Sequence, residues 1–104
     1  MSPPNPDTYR NRLRRLRVLQ TLYNQRPEYV GEGILLQCLR EDADLSPTPD
    51  GIRRSLDYLA QRGLVVIEKK QTRWLSKITA DGVDYLEGDD PGIDGISHPQ
   101  EFMS

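Results

Sequence analysis

The segment 49–79 constrains the fold more than any other part of the sequence, because two kinds of periodicity meet in it. Up to Gly63 the apolar residues recur at the spacing of an α-helix, and a glycine after such a pattern is a common stop. Residues 64–68 and 74–79 favour strands, and the basic stretch 69–73 lies between them. The segment therefore predicts a helix followed by a β-hairpin with a cationic tip.

Two further helices are predicted before this segment. The first runs from a cap at Asp7 or Thr8 to about Gln25. The second covers about residues 31–41. Its apolar positions at helical spacing are Ile34, Leu35, Cys38 and Leu39. This spacing predicts that all four side chains face the core.

Two threonines are placed to cap the later helices. Thr48 precedes Pro49, and proline is favoured at the first helical position, so the third helix is predicted to begin there. Thr79 precedes a short closing helix that ends near Glu87. The predicted fold is mainly α (α+β), in the order helix–helix–helix–strand–strand–helix. A helix pair followed by a twisted hairpin is typical of the winged helix-turn-helix.

The two ends of the chain lack these patterns. Residues 1–7 are rich in proline and are predicted to be a disordered leader, whereas residues 8–88 are predicted to form the winged-helix domain. Residues 89–104 are predicted to be an acidic tail containing glycine and proline, without regular structure. Ile93 and Ile96 are the only anchors that we expect in this tail.

Composition excludes several classes of protein. A chain of 104 residues suits one modest core, and no apolar run approaches the ~18 residues that would span a membrane. The first residues do not have the pattern of a signal peptide. A single cysteine allows no internal disulfide and favours a reducing compartment, so we expect a cytoplasmic protein.

The net charge of −2 conceals a division along the chain. Residues 1–79 hold all 14 lysines and arginines with 9 acidic residues, whereas residues 80–104 hold 7 acidic residues and no basic one. A basic body can attract a polyanion, and an acidic tail can equally shield that body. Charge alone therefore leaves both interpretations open.

Short motifs resemble a known group of proteins. The segments Gly-Leu-Val-Val-Ile-Glu at 63–68 and Ile-Thr-Ala-Asp-Gly at 78–82 are similar to the "GLV…LT..G" pattern of small bacterial winged-helix regulators of the ArsR, MarR and PadR groups. From about 9 to 99 the chain most resembles the small ArsR-like winged-helix protein of Mu-like phages and prophages, encoded near the DNA-packaging genes. The segments that carry this likeness are 26–29, 56–65, 82–88 and 91–96. The resemblance implies a DNA-binding or regulatory role.

The exposed face of the third helix is the first candidate site. In a winged helix this helix enters the major groove, where an arginine can donate two hydrogen bonds to guanine. The residues predicted to face DNA are Thr48, Asp50, Arg53, Arg54, Tyr58 and Gln61. The alternative is a solvated face with an i,i+4 ion pair between Arg53 and Asp57. Asp50 and Asp57 weigh against a close approach of phosphate.

The basic turn of the hairpin is the second candidate site. Lys69, Lys70 and Arg73 at a hairpin tip suit contacts to phosphates, which do not depend on base sequence. The alternative is an exposed polar tip without a ligand, in which lysine discourages pairing between sheet edges.

Arginines crowd the first half of the first helix. They are Arg10, Arg12, Arg14, Arg15 and Arg17. Arg10, Arg14 and Arg17 share one face of the helix, whereas the other two lie elsewhere around it. This arrangement is consistent with a nucleic-acid-binding patch. It is equally consistent with a solvated surface whose positive charge is balanced by the acidic tail.

Patterns for catalysis and for metal binding do not emerge from the sequence. It has no glycine-rich phosphate loop and no nucleophile paired with a base, so we expect neither an enzyme nor a cofactor. Cys38 is expected to be a small buried hydrophobe, and with only the distant His98 it makes no metal site. Trp74 is expected to close one end of the core.

Two functions are consistent with these patterns. The first is a winged-helix protein that binds double-stranded DNA, a phage-type transcriptional regulator acting as a homodimer, because one helix reads only a few base pairs. The first helix and the tail are the expected dimer surfaces. The second is a protein-interaction module of the same fold, for example a DNA-packaging accessory, that does not read DNA sequence.

Overall fold

The computed structural model describes residues 6–88 and 95–99, in which four helices pack with a three-stranded antiparallel sheet. In chain order the elements are α1 (Pro6–Asn24), β1 (Val30–Gly31), α2 (Glu32–Arg40), α3 (Pro49–Gln61), β2 (Val65–Lys69), β3 (Trp74–Ile78) and α4 (Ala80–Glu87). The α+β class is therefore confirmed, with one more strand than the predicted order contains. The predicted leader lies almost entirely outside the described residues, as do 89–94 and 100–104 of the predicted tail.

α1 begins at Pro6, so the predicted cap at Asp7 or Thr8 is wrong, and the last two residues of the predicted leader belong to this helix. The physical reason is that proline fits the first turn of a helix, where its missing N–H has no intrahelical partner.

The starts of α3 and α4 follow the capping residues that the sequence predicts. The Oγ1 atom of Thr48 accepts a hydrogen bond of 3.0 Å from the backbone N–H of Gly51, at the start of α3. Thr79 does the same for the backbone N–H of Gly82 at the start of α4, at 3.1 Å. Gly63 follows α3 with a φ of +76°, a conformation that glycine adopts without steric cost. These three predictions are confirmed.

The additional strand, β1, pairs with β3, so that the sheet order is β1–β3–β2. Val30 lies opposite Ser76, and the hairpin pairs Val65 with Ile78. A strand of two residues is too short to show the alternation by which strands are recognised in a sequence. It nevertheless makes β3 the central strand and joins the start of α2 to the sheet.

The hydrophobic core lies between α1, α3 and the sheet, and α4 closes it. Its fully buried side chains include Leu16, Leu19, Leu22, Ile52, Leu56, Leu59 and Tyr85. Ile96 also belongs to this core, with 1% of its surface exposed, as predicted for an anchor of the tail. The other expected anchor, Ile93, lies outside the described residues.

The second helix is rotated relative to the sequence prediction. Leu35 and Leu39 are buried, but Ile34 is 55% exposed and Cys38 is also exposed, so the prediction of a buried cysteine is wrong. The physical reason is that a short helix buries one stripe, and here Leu36 packs against the core from the other side. The stripe is thus centred between residues 35 and 36, which turns Ile34 and Cys38 toward solvent.

Among the helices of residues 6–88, none combines the length and the apolar character needed to cross a membrane.

Candidate nucleic-acid interface

The solvent-facing side of α3 carries several of the predicted DNA-facing residues. Burial of Ile52, Leu56 and Leu59 fixes the rotation of this helix about its axis. Of the predicted residues, Thr48, Asp50, Arg54 and Gln61 are exposed. Arg53 and Tyr58 are half-buried and bind neighbouring elements, one on each side of this exposed face.

Arg53 is held by a carboxylate of α2. Its Nε and Nη2 atoms donate to Oε2 and Oε1 of Glu32, each at 2.6 Å, and its guanidinium group lies over the ring of Trp74 at 4.8 Å. The predicted ion pair of Arg53 with Asp57 is therefore replaced by a pair between two helices. Trp74 is half-buried beneath this pair, at the hairpin end of the domain.

Glu32 links three elements of the fold. Besides the two bonds from Arg53, it accepts a bond of 3.1 Å from the backbone N–H of Trp74 at the start of β3. The hydrogen bonds from Arg53 hold the pKa of the Glu32 carboxyl below its ordinary value, and the same pair raises the pKa of Arg53. No feature of the sequence near residue 32 indicated this role, because both partners are distant along the chain.

A second ion pair joins the cationic hairpin to α3. The Nζ atom of Lys69 lies 3.1 Å from Oδ1 of Asp57 and 4.4 Å from the centre of the Trp74 ring. Lys70 pairs with Glu68 of the same hairpin at 3.0 Å. The negative charge of Asp57 is thus offset by Lys69, which removes part of the objection that this aspartate raised against phosphate binding.

Arg73 completes the hairpin tip. Its carbonyl oxygen accepts a bond of 3.0 Å from the backbone N–H of Lys70, which closes the turn, and its side chain is exposed. Within the described part of the chain, no carboxylate forms an ion pair with Arg73. Of the three cations predicted at the hairpin tip, Arg73 is therefore the one whose charge is open to a ligand.

Tyr58 lies between two arginines on the opposite side of α3. The guanidinium groups of Arg15 and Arg62 lie 3.7 Å and 3.5 Å from the centre of its ring. The hydroxyl end of Tyr58 also contacts Gly95, where a Cβ atom would stand 1.6 Å from the hydroxyl oxygen. The ring therefore packs into the seam between α1, α3 and residues 95–99.

Arginines of α1 bind backbone carbonyls, an outcome that neither interpretation of this helix foresaw. The Nε atom of Arg10 donates to the carbonyl of Asp44 at 2.9 Å, and Nη2 of Arg14 donates to the carbonyl of Leu45 at 2.9 Å. Both carbonyls belong to the connection between α2 and α3. These bonds position the start of α3 relative to α1.

Metal ligation has no support in the geometry of residues 6–88 and 95–99. Nowhere in these ranges do three or more His, Cys, Asp or Glu side chains come together as a metal ion would require. Cys38 lies on the outer side of α2, whereas the ring of His98 packs edge-on against Tyr85, with 5.8 Å between ring centres.

Comparison with known proteins adds no identification: no protein-family model, curated protein or solved structure matches the chain. The winged-helix resemblance therefore stays a prediction.

Proposed function

We propose that this chain is a winged-helix protein that binds double-stranded DNA and regulates transcription, as the resemblance to the phage-type winged-helix protein implies. One observation carries the proposal. The solvent face of α3 presents Arg54 and Gln61 beside a β-hairpin whose exposed Arg73 is free of a carboxylate in the described residues. A helix flanked by a basic hairpin fits a major groove and its adjoining phosphates.

Each predicted residue has a role in this proposal that follows from its chemistry. Arg54 donates to guanine, and Gln61 bonds to adenine. Thr48 and Asp50 stand at the start of α3, which is the end of a recognition helix that contacts bases. Lys70 and Arg73 bind phosphates. Their contacts position the protein and do not select sequence.

The remaining predicted residues act through their present partners. Arg53 is held by Glu32, Lys69 is paired with Asp57, and Tyr58 packs between arginines. Arg53 and Lys69 position α3 relative to the hairpin, and Tyr58 positions α3 relative to α1, so that the DNA-facing surface is arranged before DNA binds. Preorganisation of this kind reduces the entropy lost on binding.

A homodimer in the cytoplasm completes the proposal. One recognition helix contacts only a few base pairs, and two copies on two half-sites give useful affinity and specificity. The exposed thiol of Cys38 stays reduced in that compartment.

The test is an electrophoretic mobility shift titration with a random duplex and with the region upstream of the chain's own gene. We expect binding that weakens as salt is added, with log Kd rising linearly with log salt concentration. Arg54→Gln is expected to weaken binding to the upstream region and to relax its preference over the random duplex. The matched control is Arg40→Gln, an exposed arginine on α2 outside the proposed surface. An absence of duplex binding at low salt would overturn the proposal.

One observation favours a second candidate, a winged-helix protein-interaction module that does not read DNA sequence. Ile34 and Cys38, one turn apart on α2, form a short exposed apolar strip that is available to a partner protein. For the packaging-accessory version, the test is capture of a purified phage packaging protein without DNA, with the wild type and with Ile34→Glu. Capture that Ile34→Glu abolishes, together with no binding to duplex DNA, would favour this candidate over the first.

A further inference from the structure

The cations around α3 divide into two groups by their partners. On the side of the hairpin, three cations each have their own carboxylate, whereas Arg73 at the tip has none within the described residues. The pairs are Arg53 with Glu32, Lys69 with Asp57, and Lys70 with Glu68. The side of α3 that faces α1 is different.

Four arginines lie on that second side, and we call them the arginine row: Arg14, Arg15, Arg54 and Arg62. Arg54 stands one turn before Tyr58 on α3, at i−4, and Arg62, the residue at the C-terminal cap of α3, follows Tyr58 at i+4. Arg15 reaches the ring of Tyr58 from α1. Arg14 lies near the start of α3, where its Nη1 atom would be 3.5 Å from a Cβ atom placed on Gly51.

The hydrogen-bond partners of the row are neutral. Arg14 donates to the side-chain oxygen of Asn11 and to the Leu45 carbonyl. Arg15 donates to the carbonyl of Gly95 at 2.8 Å. Across residues 6–88 and 95–99, no carboxylate is paired with any member of the row.

The row is consequently a surface of uncompensated positive charge. Burial lowers the pKa of Arg14, and the nearby charges of Arg54, Arg10 and Arg15 lower it further. Burial also lowers the pKa of Arg15, where Tyr58 opposes the effect and Arg62 adds to it. Mutual repulsion among cations is relieved by a bound anion, so the row favours a negatively charged ligand.

We propose that the arginine row lies along one strand of duplex DNA, on the opposite side of α3 from the hairpin, where Arg14, Arg15 and Arg62 bind phosphates and Arg54 keeps its contact with a base. This inference deepens the proposed function and depends on it. From Arg54 to Arg62 the row extends eight residues, or about 12 Å of helix axis at 1.5 Å per residue. That length faces more than one phosphate, since the charges of a strand recur about every 3.4 Å of duplex axis.

The geometry of the row favours a polymer with repeated phosphates over a single small anion. The guanidinium groups of Arg15 and Arg62 lie against the Tyr58 ring, and a guanidinium group on an aromatic face keeps the N–H donors of its edge available. Arg54 and Arg62 are exposed, whereas Arg14 and Arg15 are half-buried along the same seam. The donors therefore follow the length of α3 and do not converge on one point.

Arg62 is the best position for a test, because it lies outside the proposed base-reading residues. In the described part of the chain its guanidinium group lies over the Tyr58 ring and donates one long hydrogen bond of 3.5 Å, to the carbonyl of Tyr58. The experiment measures binding of the full chain to a random duplex between about 50 and 200 mM salt. Over this range the release of counterions from DNA makes the affinity fall with a slope set by the number of phosphate contacts. Variants are Arg62→Gln, Arg62→Lys and the control Arg40→Gln. Thermal unfolding of each variant verifies that it is folded.

We expect Arg62→Gln to reduce the salt slope by about 0.9 and the affinity by about eightfold at 0.1 M salt, as for the loss of one phosphate contact. Arg62→Lys keeps the charge and is expected to keep the slope. Arg40→Gln, which changes the net charge equally, is expected to bind as the wild type does.

Two results would overturn the inference, and they differ in whether the proposed function survives. A wild type that binds with a steep salt slope, together with an Arg62→Gln variant that is unchanged or no weaker than Arg40→Gln, would reject the row and leave the proposed function intact. A wild type that binds no duplex would reject both.

Discussion

Arg53 and Glu32 form a pair with two parallel hydrogen bonds of 2.6 Å, and the same carboxylate holds the backbone N–H of Trp74. The pair connects α2 and α3, and the third bond extends it to the first residue of β3. The carboxyl side chain of Glu32 is only 16% exposed, so solvent screens the interaction incompletely. One carboxylate of α2 therefore binds both α3 and the first residue of β3.

Glu32→Gln is expected to destabilise the protein at neutral pH, because a neutral amide with one acceptor oxygen replaces a charged carboxylate that accepts three hydrogen bonds. The sign of the pH dependence follows from the lowered pKa of this carboxyl. Its stabilisation is complete above the ordinary pKa of 4.5 and is lost as the pH falls below that value through the folded-state pKa. Urea unfolding at several pH values measures this effect. The curves of wild type and variant are expected to converge in acid.

The control for this prediction is Glu68→Gln, which changes an exposed carboxylate on β2. Its ion pair with Lys70 is open to solvent, and such pairs contribute little to stability. A Glu32→Gln variant that is as stable as Glu68→Gln at pH 7 would contradict the role assigned to Glu32.

Tyr85→Phe is expected to loosen the segment 95–99. The Tyr85 hydroxyl donates to the carbonyls of Ile96 and Ser97, at 3.3 Å and 3.2 Å, and all of these groups are buried. Loss of the donor is expected to cost about 1 kcal/mol of unfolding free energy. Hydrogen exchange is expected to be faster at Ser97, whose N–H donates to the Arg12 carbonyl.

Tyr23→Phe is the matched control, since the Tyr23 hydroxyl bonds to Glu87 at an exposed site. We expect it to change the unfolding free energy by less than about 0.5 kcal/mol. Equal effects of the two substitutions would contradict the account of Tyr85.

Gly82→Ala is expected to destabilise the protein by about 1–3 kcal/mol or more, as overpacking does. An added Cβ atom would lie 2.3 Å from the carbonyl oxygen of Leu64 and 2.5 Å from Cγ1 of Ile78. The Leu64 carbonyl cannot move away freely, because it accepts the N–H of Thr79 at 3.0 Å. Thermal unfolding followed by circular dichroism measures the effect.

Gly33→Ala is the same substitution at a position where we do not expect destabilisation. No atom lies within 4 Å of a Cβ atom built at Gly33, and the position is in α2. Alanine favours helix over glycine, so we expect a neutral change or a gain of up to about 1 kcal/mol. Destabilisation of both variants to the same extent would show that the contacts of Gly82 do not decide the outcome.

Ile96→Ala is expected to cost about 2–5 kcal/mol, the usual range for removing a large aliphatic side chain from a core. Ile96 is 1% exposed, although it follows the closing helix by several residues. Chemical denaturation compares it with Ile34→Ala, in which the replaced side chain is 55% exposed. The second variant is expected to change stability by less than about 0.5 kcal/mol. A small effect of Ile96→Ala would show that the folded core ends at α4.

Cys38 is expected to react with a thiol reagent in the folded protein, at a rate close to that of the unfolded chain, because the side chain is exposed. The measurement is the rate of alkylation at neutral pH over a range of protein concentrations. A rate that falls with concentration would place the strip of Ile34 and Cys38 in an interface between copies. A slow rate at every concentration would contradict the observed orientation of α2.

The sequence by itself determined the local elements, because each depends on residues a few positions apart. Thr48 and Thr79 cap helices through bonds to residues three positions later, and Gly63 supplies a backbone conformation that other residues avoid. The hairpin followed from two apolar runs around a basic turn. The rotation of α2 was wrong, because four apolar residues offered two possible stripes and only the packing of Leu36 selects one.

The tertiary structure alone decided which partner each charged side chain has. Arg53 binds Glu32 across 21 residues of chain, Arg14 binds the carbonyl of Leu45 across 31, and Arg15 that of Gly95 across 80. The spacing of charges along a helix predicts only pairs three or four positions apart. In the folded protein, carboxylates and backbone carbonyls of other elements compete for the same cations. For this reason the sequence located a cationic hairpin and a mixed helix face, and only the fold separated the neutralised cations from the arginine row.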